Sequence, residues 1–231
     1  MTSAPPAAVL WDMDGTLVDT EGYWMAAETA LVERHGGTWT HEQALTLVGS
    51  GLERSAEILQ EAGVRMSVTD IIDHLTAEVS RRLAEEGNPF RPGARELLAE
   101  LKDAGIPTAL VTMSLRSMAE TVAGQMGFDA FDVVVAGDDV TRPKPFPDPY
   151  LQACALLGVD AADTVALEDS PTGVRAAVAA GATTVGIPLM VSLTGAGATG
   201  IWESLQGRTL QDLADIHAAH RAAHPHPEVN E

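Results

Sequence analysis

The sequence predicts an α/β fold: a three-layer core built on a parallel sheet, with an all-helical insertion just after the first strand. Two observations carry this expectation. After Pro92, segments with apolar residues at helical spacing alternate with short apolar runs, the rhythm of parallel strands joined by right-handed crossovers. Before it, from Tyr23 to about Gly87, apolar residues recur at helical spacing and no strong strand signal interrupts them.

The elements follow in order. Ala7 to Trp11 is an apolar run ending in DMDGT, which reads as a fully buried strand running into a turn. The stretches YWMAAETALVERHG, LERSAEILQEAG and TDIIDHLTAEVSRRLAEEG read as helices. In the last, Leu75, Val79 and Leu83 recur at helical spacing with charges between them, as on an amphipathic helix. Gly87, Asn88 and Pro89 end this unit. Helical GARELLAELKDAG then precedes strand-like PTALVT, and SMAETVAGQMG precedes FDVVVAG. DPYLQACALLG precedes TVALE, and TGVRAAVAAG precedes TTVGI. Residues 1–20 and 89–231 are therefore expected to form a Rossmann-like core, and 21–88 a helical lid. The C-terminal AAHRAAHPHPEVNE is polar and broken by proline, and residues 219–231 are expected to fray.

Composition narrows the partners. At 231 residues the chain can bury a sizeable core, and 45% hydrophobic with 20% charged residues is the balance of a soluble globular protein. Lys and Arg number 14 against 33 Asp and Glu, a formal charge of -19, which repels nucleic acid and anionic membranes. Most of these carboxylates serve solubility. The same field repels an anionic substrate at long range, so local cations must overcome it. Cys154 is the sole cysteine and lies in the apolar stretch Tyr150 to Leu157. It reads as a core residue, no intrachain disulfide can form, and a reducing cytoplasm suits the chain. The N-terminus lacks the basic segment of a signal peptide, and no apolar run approaches the roughly 18 residues of a membrane span. A soluble, cytoplasmic monomer is expected.

In an open parallel sheet, ligands bind beyond the carboxyl ends of the strands. Asp12, Met13, Asp14, Gly15 and Thr16 follow the first strand. Thr112 and Ser114 follow the strand at Thr108 to Val111; Asp138, Asp139 and then Lys144 follow the one at Val133 to Ala136; Glu168, Asp169 and Ser170 follow Val165 to Leu167. These four strand ends supply a carboxylate cluster, two hydroxyls and a lysine. Asp12 and Asp14 at a buried strand end repel each other, and a hard divalent cation relieves that cost, with Glu168 and Asp169 completing its shell. An Asp oxygen could then attack phosphorus while the cation neutralises the incoming ester. Thr112, Ser114 and Lys144 could hold the phosphoryl oxygens as charge builds, and Gly15 would let the backbone approach them. The second aspartate could protonate the leaving oxygen and later deprotonate water. Asp12 and Asp14 alone would equally suit a helix-capping loop; the other three strand ends favour the chemical reading.

This set resembles the haloacid dehalogenase superfamily over nearly the whole chain. The motif DxDGT stands as Asp12-Met13-Asp14-Gly15-Thr16 followed by LVDTE; the strand-end hydroxyl is Thr112. The lysine in a KPxPDPY context is Lys144, and the acidic pair before a Gly-containing helix is Glu168-Asp169 in LEDSPTGVRAA. An aspartate at position 14 matches the phosphotransferase branch. The resemblance implies Asp12 as nucleophile and Asp14 as general acid/base. It also implies magnesium held by the Asp12 carboxylate, the Asp14 carbonyl and Asp169, with Glu168 adjacent. The insertion resembles the helical cap of the phosphoglucomutase-like and phosphoglycolate-phosphatase-like subfamily, which closes over substrate. The expected activity is hydrolysis of a small phosphate monoester, sugar or polyol phosphates favoured over nucleotides. Glu21, Tyr23, Trp24 and Arg54 are the candidates for contacting the leaving part.

Two alternatives remain. In β-phosphoglucomutases a histidine stands where this chain has Trp24, and an arginine where alignment on Gly49 puts Leu52; both departures weaken a mutase reading. A binding protein that kept the fold without turnover would also carry these residues. Two further patterns lack context. Gly195 to Gly200 spells GxGxxG, but too little chain follows for a dinucleotide-binding unit, so it reads as a flexible loop. His217, His220, His224 and His226 read as a solvated tail, with cation binding by the tract as the rival.

Overall fold

The computed structural model describes residues 3–224. Its strands are β1 (Ala8–Trp11), β2 (Thr108–Val111), β3 (Val133–Val135), β4 (Thr164–Glu168), β5 (Thr183–Gly186) and β6 (Gly200–Ile201). All pair in parallel, in the order β3-β2-β1-β4-β5-β6. The first strand in sequence is thus central, and the chain leaves it toward β2 on one side and reaches β4 on the other. This reversal of strand order opens a crevice at the carboxyl end of β1.

Strands β1, β2, β4 and β5 are buried throughout, which is why they read as continuous apolar or β-branched runs rather than alternating ones. Alternate residues nonetheless serve opposite faces. Val9 and Trp11 join Leu97, Leu98, Met118, Val122 and Leu213 on one side. Leu10, Ala109 and Val111 join Tyr150, Ala153, Cys154 and Ala177 on the other. The covering helices are α5 (Ala94–Asp103), α6 (Arg116–Gly124) and α9 (Leu210–Ala223) on the first face, and α7 (Asp148–Leu157) and α8 (Pro171–Ala180) on the second. Burying one such Leu stabilises the core by about 2–3 kcal/mol.

Between β1 and α5 stand four helices: α1 (Glu21–Arg34), α2 (His41–Leu45), α3 (Leu52–Glu61) and α4 (Val68–Glu86). Thr40 and Gln43 form a capping box on α2, and the Ser67 hydroxyl accepts from the Asp70 N–H to start α4. Gly87 ends α4 at φ 81°, a conformation that disfavours a side chain. The chain leaves and rejoins the core along one narrow ribbon. Val18 bridges Phe90 antiparallel, the Asp19 N–H donates to the Pro89 carbonyl at 2.8 Å, and Arg91 N–H donates to Leu17 at 2.9 Å.

Three expectations at the C-terminal end need correction. Gly200 lies in a strand rather than a loop: β6 extends the sheet, with the Thr199 N–H donating to Thr184 and the Trp202 N–H to Gly186. Residues 219–223 do not fray but complete α9, which Thr209 and Asp212 start with a capping box. Within α9, His217 is buried and its Nδ1 sits 2.8 Å from Thr183 Oγ1, so it is a core residue and not part of a solvated tail. His220 lies further along α9 and His224 just after it, while His226 and the rest of 225–231 lie outside the described residues. Among those described, no helix is long and apolar enough to cross a membrane.

Candidate active site

Asp12 is the first residue beyond β1, fixed by its N–H donating to Leu167 O at 3.0 Å. Its Oδ1 accepts from Lys144 Nζ at 2.7 Å. The same ammonium donates to Glu168 Oε1 at 2.6 Å and to the Val111 carbonyl at 2.9 Å, so three strand ends converge on one cation. Tyr150 Oη adds a hydrogen bond to Glu168 Oε1 at 2.5 Å. All of these groups are buried, Glu168 completely. Burial alone would lower the Lys144 pKa, but Asp12 and then Glu168 outweigh it and hold the ammonium charged. Glu168 was expected beside the metal; its Oε1 also anchors the lysine, and its closeness to Gly173 leaves no room there for a Cβ.

Asp12, Glu168 and Asp169 each offer a carboxylate oxygen within 4.8 Å of the others. Asp12 Oδ2 and Asp169 Oδ2 are buried with no hydrogen-bond partner. Burial raises the pKa of both; Glu168 raises Asp12 further, Asp12 and then Glu168 raise Asp169 further, and Lys144 counters only in part. Orphaned oxygens pointing together in a buried place are what a small divalent cation with oxygen ligands satisfies, so the residues fit magnesium. The turn is shaped for them: Gly15 has φ 86°, and a Cβ on it would collide with the Asp169 carboxylate.

Asp14 turns elsewhere. Its Oδ1 accepts from Thr20 Oγ1 at 2.5 Å and Trp24 Nε1 at 3.0 Å, and its Oδ2 from Ser114 Oγ at 2.7 Å, with Thr112 Oγ1 at 3.4 Å. Its side chain is therefore outside the Asp12–Glu168–Asp169 group, and only its carbonyl remains for the ligand role that the resemblance implies. The hydroxyls of Thr112 and Ser114, expected to face a phosphoryl group, here face Asp14.

The crevice between the sheet and the inserted helices is lined by Asp12, Asp14, Thr112, Ser114, Lys144 and Asp169 from the core, and by Glu21 and Trp24 from α1. Two other sequence candidates are not brought there. Tyr23 points its hydroxyl to Glu86 at 3.0 Å with Arg82 over its ring. Arg54 is exposed and pairs with Glu57 at 3.0 Å and Glu61 at 3.8 Å. Helix periodicity explains both: positions 23 and 24 face different sides of α1, and Arg54 lies on the outer side of α3.

Sequence reasoning missed Tyr150 and three further residues. Glu28 also lines the crevice, one α-helical stripe along from Glu21. Ser55 of α3 does too, and nothing in its local sequence marked it. Arg91, nearly buried, donates to the carbonyls of Gly15 at 2.5 Å, Ile187 at 2.9 Å and Pro188 at 3.4 Å, tying the Asp14–Gly15 turn to the loop beyond β5. Its carbonyl partners lie far away in sequence and left no local signal.

A buried aspartate clamped by a lysine beside a cluster of carboxylates, at the switch point of a parallel sheet, is an arrangement suited to phosphoryl transfer. The family model for haloacid dehalogenase-like hydrolases matches residues 9–187. The chain belongs to that family, in its phosphatase branch. It is 33% identical over 182 residues to validoxylamine A 7'-phosphate phosphatase of Streptomyces hygroscopicus subsp. limoneus, covering 77% of this chain and 84% of that one. It is 33% identical over 178 residues to the phosphorylated carbohydrates phosphatase of Thermotoga maritima, covering 75% and 81%. The crystal structure of CbbY from Rhodobacter sphaeroides in complex with xylulose-(1,5)-bisphosphate superposes with a TM-score of 0.81 at 31% identity, covering 90% of this chain and 99% of that one.

Proposed function

We propose that this protein hydrolyses a small phosphate monoester, a sugar or polyol phosphate, with magnesium and through a phosphoryl group carried transiently on Asp12. The observation that carries the reading is the Asp12 carboxylate itself, buried at the switch point and clamped through one oxygen by Lys144. The relatives support the substrate class, since two are phosphatases of phosphorylated carbohydrates or a related phosphate ester and a third holds a sugar bisphosphate.

Lys144 fixes the rotamer of Asp12, so the attacking oxygen is positioned before substrate arrives. Asp12 forms the new O–P bond as the ester O–P bond breaks, and the leaving oxygen takes a proton from Asp14. Asp14 then removes a proton from water, whose oxygen attacks phosphorus, releasing inorganic phosphate and restoring Asp12. Thr112 and Ser114, released from Asp14 when it turns to the leaving group, donate to the phosphoryl oxygens. Asp12 and Asp169, with the Asp14 carbonyl, would hold magnesium, which would neutralise the phosphoryl charge. The inserted helices act as a cap that excludes water and bears the specificity contacts. The mutase alternative has less support, because Trp24 stands in the place of its histidine and spends its N–H on Asp14.

The test is phosphate release from a panel of sugar and polyol phosphates with magnesium. Wild type should turn over several of them, and Asp12→Asn should fall by at least about a thousandfold while melting within a few degrees of wild type. Undiminished turnover by Asp12→Asn, with deamidation excluded, would rule out the covalent route.

A further inference from the structure

The two walls of the crevice differ in chemistry. The core wall holds the phosphoryl machinery. The opposite wall is α1, where Glu21 and Glu28 lie seven residues apart, two turns along one helix face, with Trp24 between them. Both carboxyls are nearly buried, Glu21 6% and Glu28 5% exposed, and both line the crevice.

Among the described residues, neither has a cation paired with it. Glu28 Oε2 is buried with no hydrogen-bond partner. The Trp39 indole approaches Glu28 and partly offsets the effect of burial, without reaching hydrogen-bonding geometry. Glu21 feels burial first and then the charge of Asp14. Among the described residues lining the crevice, Lys144 is the only cation, and Asp12 and Glu168 already occupy it. A buried carboxyl without a partner is costly, and a ligand that brings a charged donor recovers that cost. A second phosphate on this wall would instead meet two carboxyls and no positive charge. The field of the whole chain acts the same way, since a net charge of -19 favours an ester whose own charge is partly cancelled.

We propose that the wall formed by Glu21 and Glu28 is a subsite for a leaving group bearing an amine cation. The favoured esters are then phosphates of amino sugars or aminated polyols, and bisphosphates are rejected. This deepens the phosphatase reading above and rests on it.

The experiment compares kcat/KM for phosphate release from glucosamine 6-phosphate, glucose 6-phosphate and fructose 1,6-bisphosphate, with an aryl phosphate alongside. The amine ester should exceed its neutral counterpart by about tenfold, the scale of one added charge-assisted contact, and the bisphosphate should be slowest. Glu28→Gln keeps the volume but removes the charge, and should lower the amine-to-neutral ratio by about fivefold or more. Glu21→Gln should do the same and serves if Glu28→Gln fails to fold; the wild-type ranking decides the matter even without variants. Equal rates for the amine and neutral esters, or a preference for the bisphosphate, would overturn the subsite while aryl phosphate turnover left the phosphatase reading standing. Absence of release from every ester, the aryl phosphate included, would overturn both.

Discussion

Lys144 shows how one residue can be both structural and chemical. It is 4% exposed and lies between two carboxylates, Asp12 and Glu168, that would otherwise repel each other without solvent to screen them. Removing it as Lys144→Ala leaves buried, uncompensated charge, which should cost about 3–5 kcal/mol of stability. Phosphate release should fall for every ester alike, because the clamp acts on the nucleophile and not on the leaving group. A denaturant midpoint and a substrate panel measure the two effects separately. Trp24 makes a narrower contribution. Trp24→Phe deletes the N–H that reaches Asp14 and little else, so kcat should change by about three- to tenfold with stability held within about 1 kcal/mol. The core aspartates, Thr112 and Lys144 were legible in the sequence because each directly follows a recognisable strand or stands between prolines. Tyr150 and Arg91 were not, since their partners are fixed only once distant segments meet.

At the scale of the element, α1 carries the sharpest expectation. Its Glu28 carboxyl is raised from an ordinary 4.5 to about 7, chiefly by burial. The folded state therefore binds this proton more tightly than the unfolded state. Stability from this group is full below about pH 4.5, declines as pH rises toward 7, and is flat above it. Glu28→Gln removes that slope, so relative to wild type it should gain on the order of 2 kcal/mol between about pH 5 and pH 8. Urea unfolding in chelator at those two pH values checks it; parallel changes in both proteins would contradict it. The longer helices before the last and five of the six strands stood out because their periodicities are long or their runs largely apolar and β-branched. The two-residue β6 has no such pattern, and only the company of β5 makes it a strand. The final helix was hidden differently. Thr209 and Asp212 form a readable cap, but the polar His-rich run beyond them drew attention to a tail.

For the whole molecule, the expectation concerns the cation. Folding brings the Asp12, Glu168 and Asp169 carboxylates together, with Lys144 between Asp12 and Glu168, so under the proposed function a bound cation should add to the stability of the native state. Magnesium at about a hundred times its dissociation constant should add about 2.7 kcal/mol and raise the melting temperature, and chelator should abolish phosphate release. Calcium should inhibit, since its looser coordination lets both oxygens of Asp12 bind it. An unchanged melting curve with magnesium would contradict the site. The three-layer architecture was legible from the alternation of elements alone, whereas the arrangement of the crevice walls was not, because which side of α1 faces the sheet depends on how the insert is seated.

The ribbon at the base of that insert has a consequence of its own. Val18 and Phe90 bring the two ends of a segment of some seventy residues against each other before the segment begins. Closing a loop whose ends are already joined costs little more when the loop grows, because the entropy rises only with the logarithm of length. The sheet therefore registers nothing of what is hung from it. Lineages could exchange or resize the entire lid, and with it the molecules admitted, while the machinery beneath stayed in register.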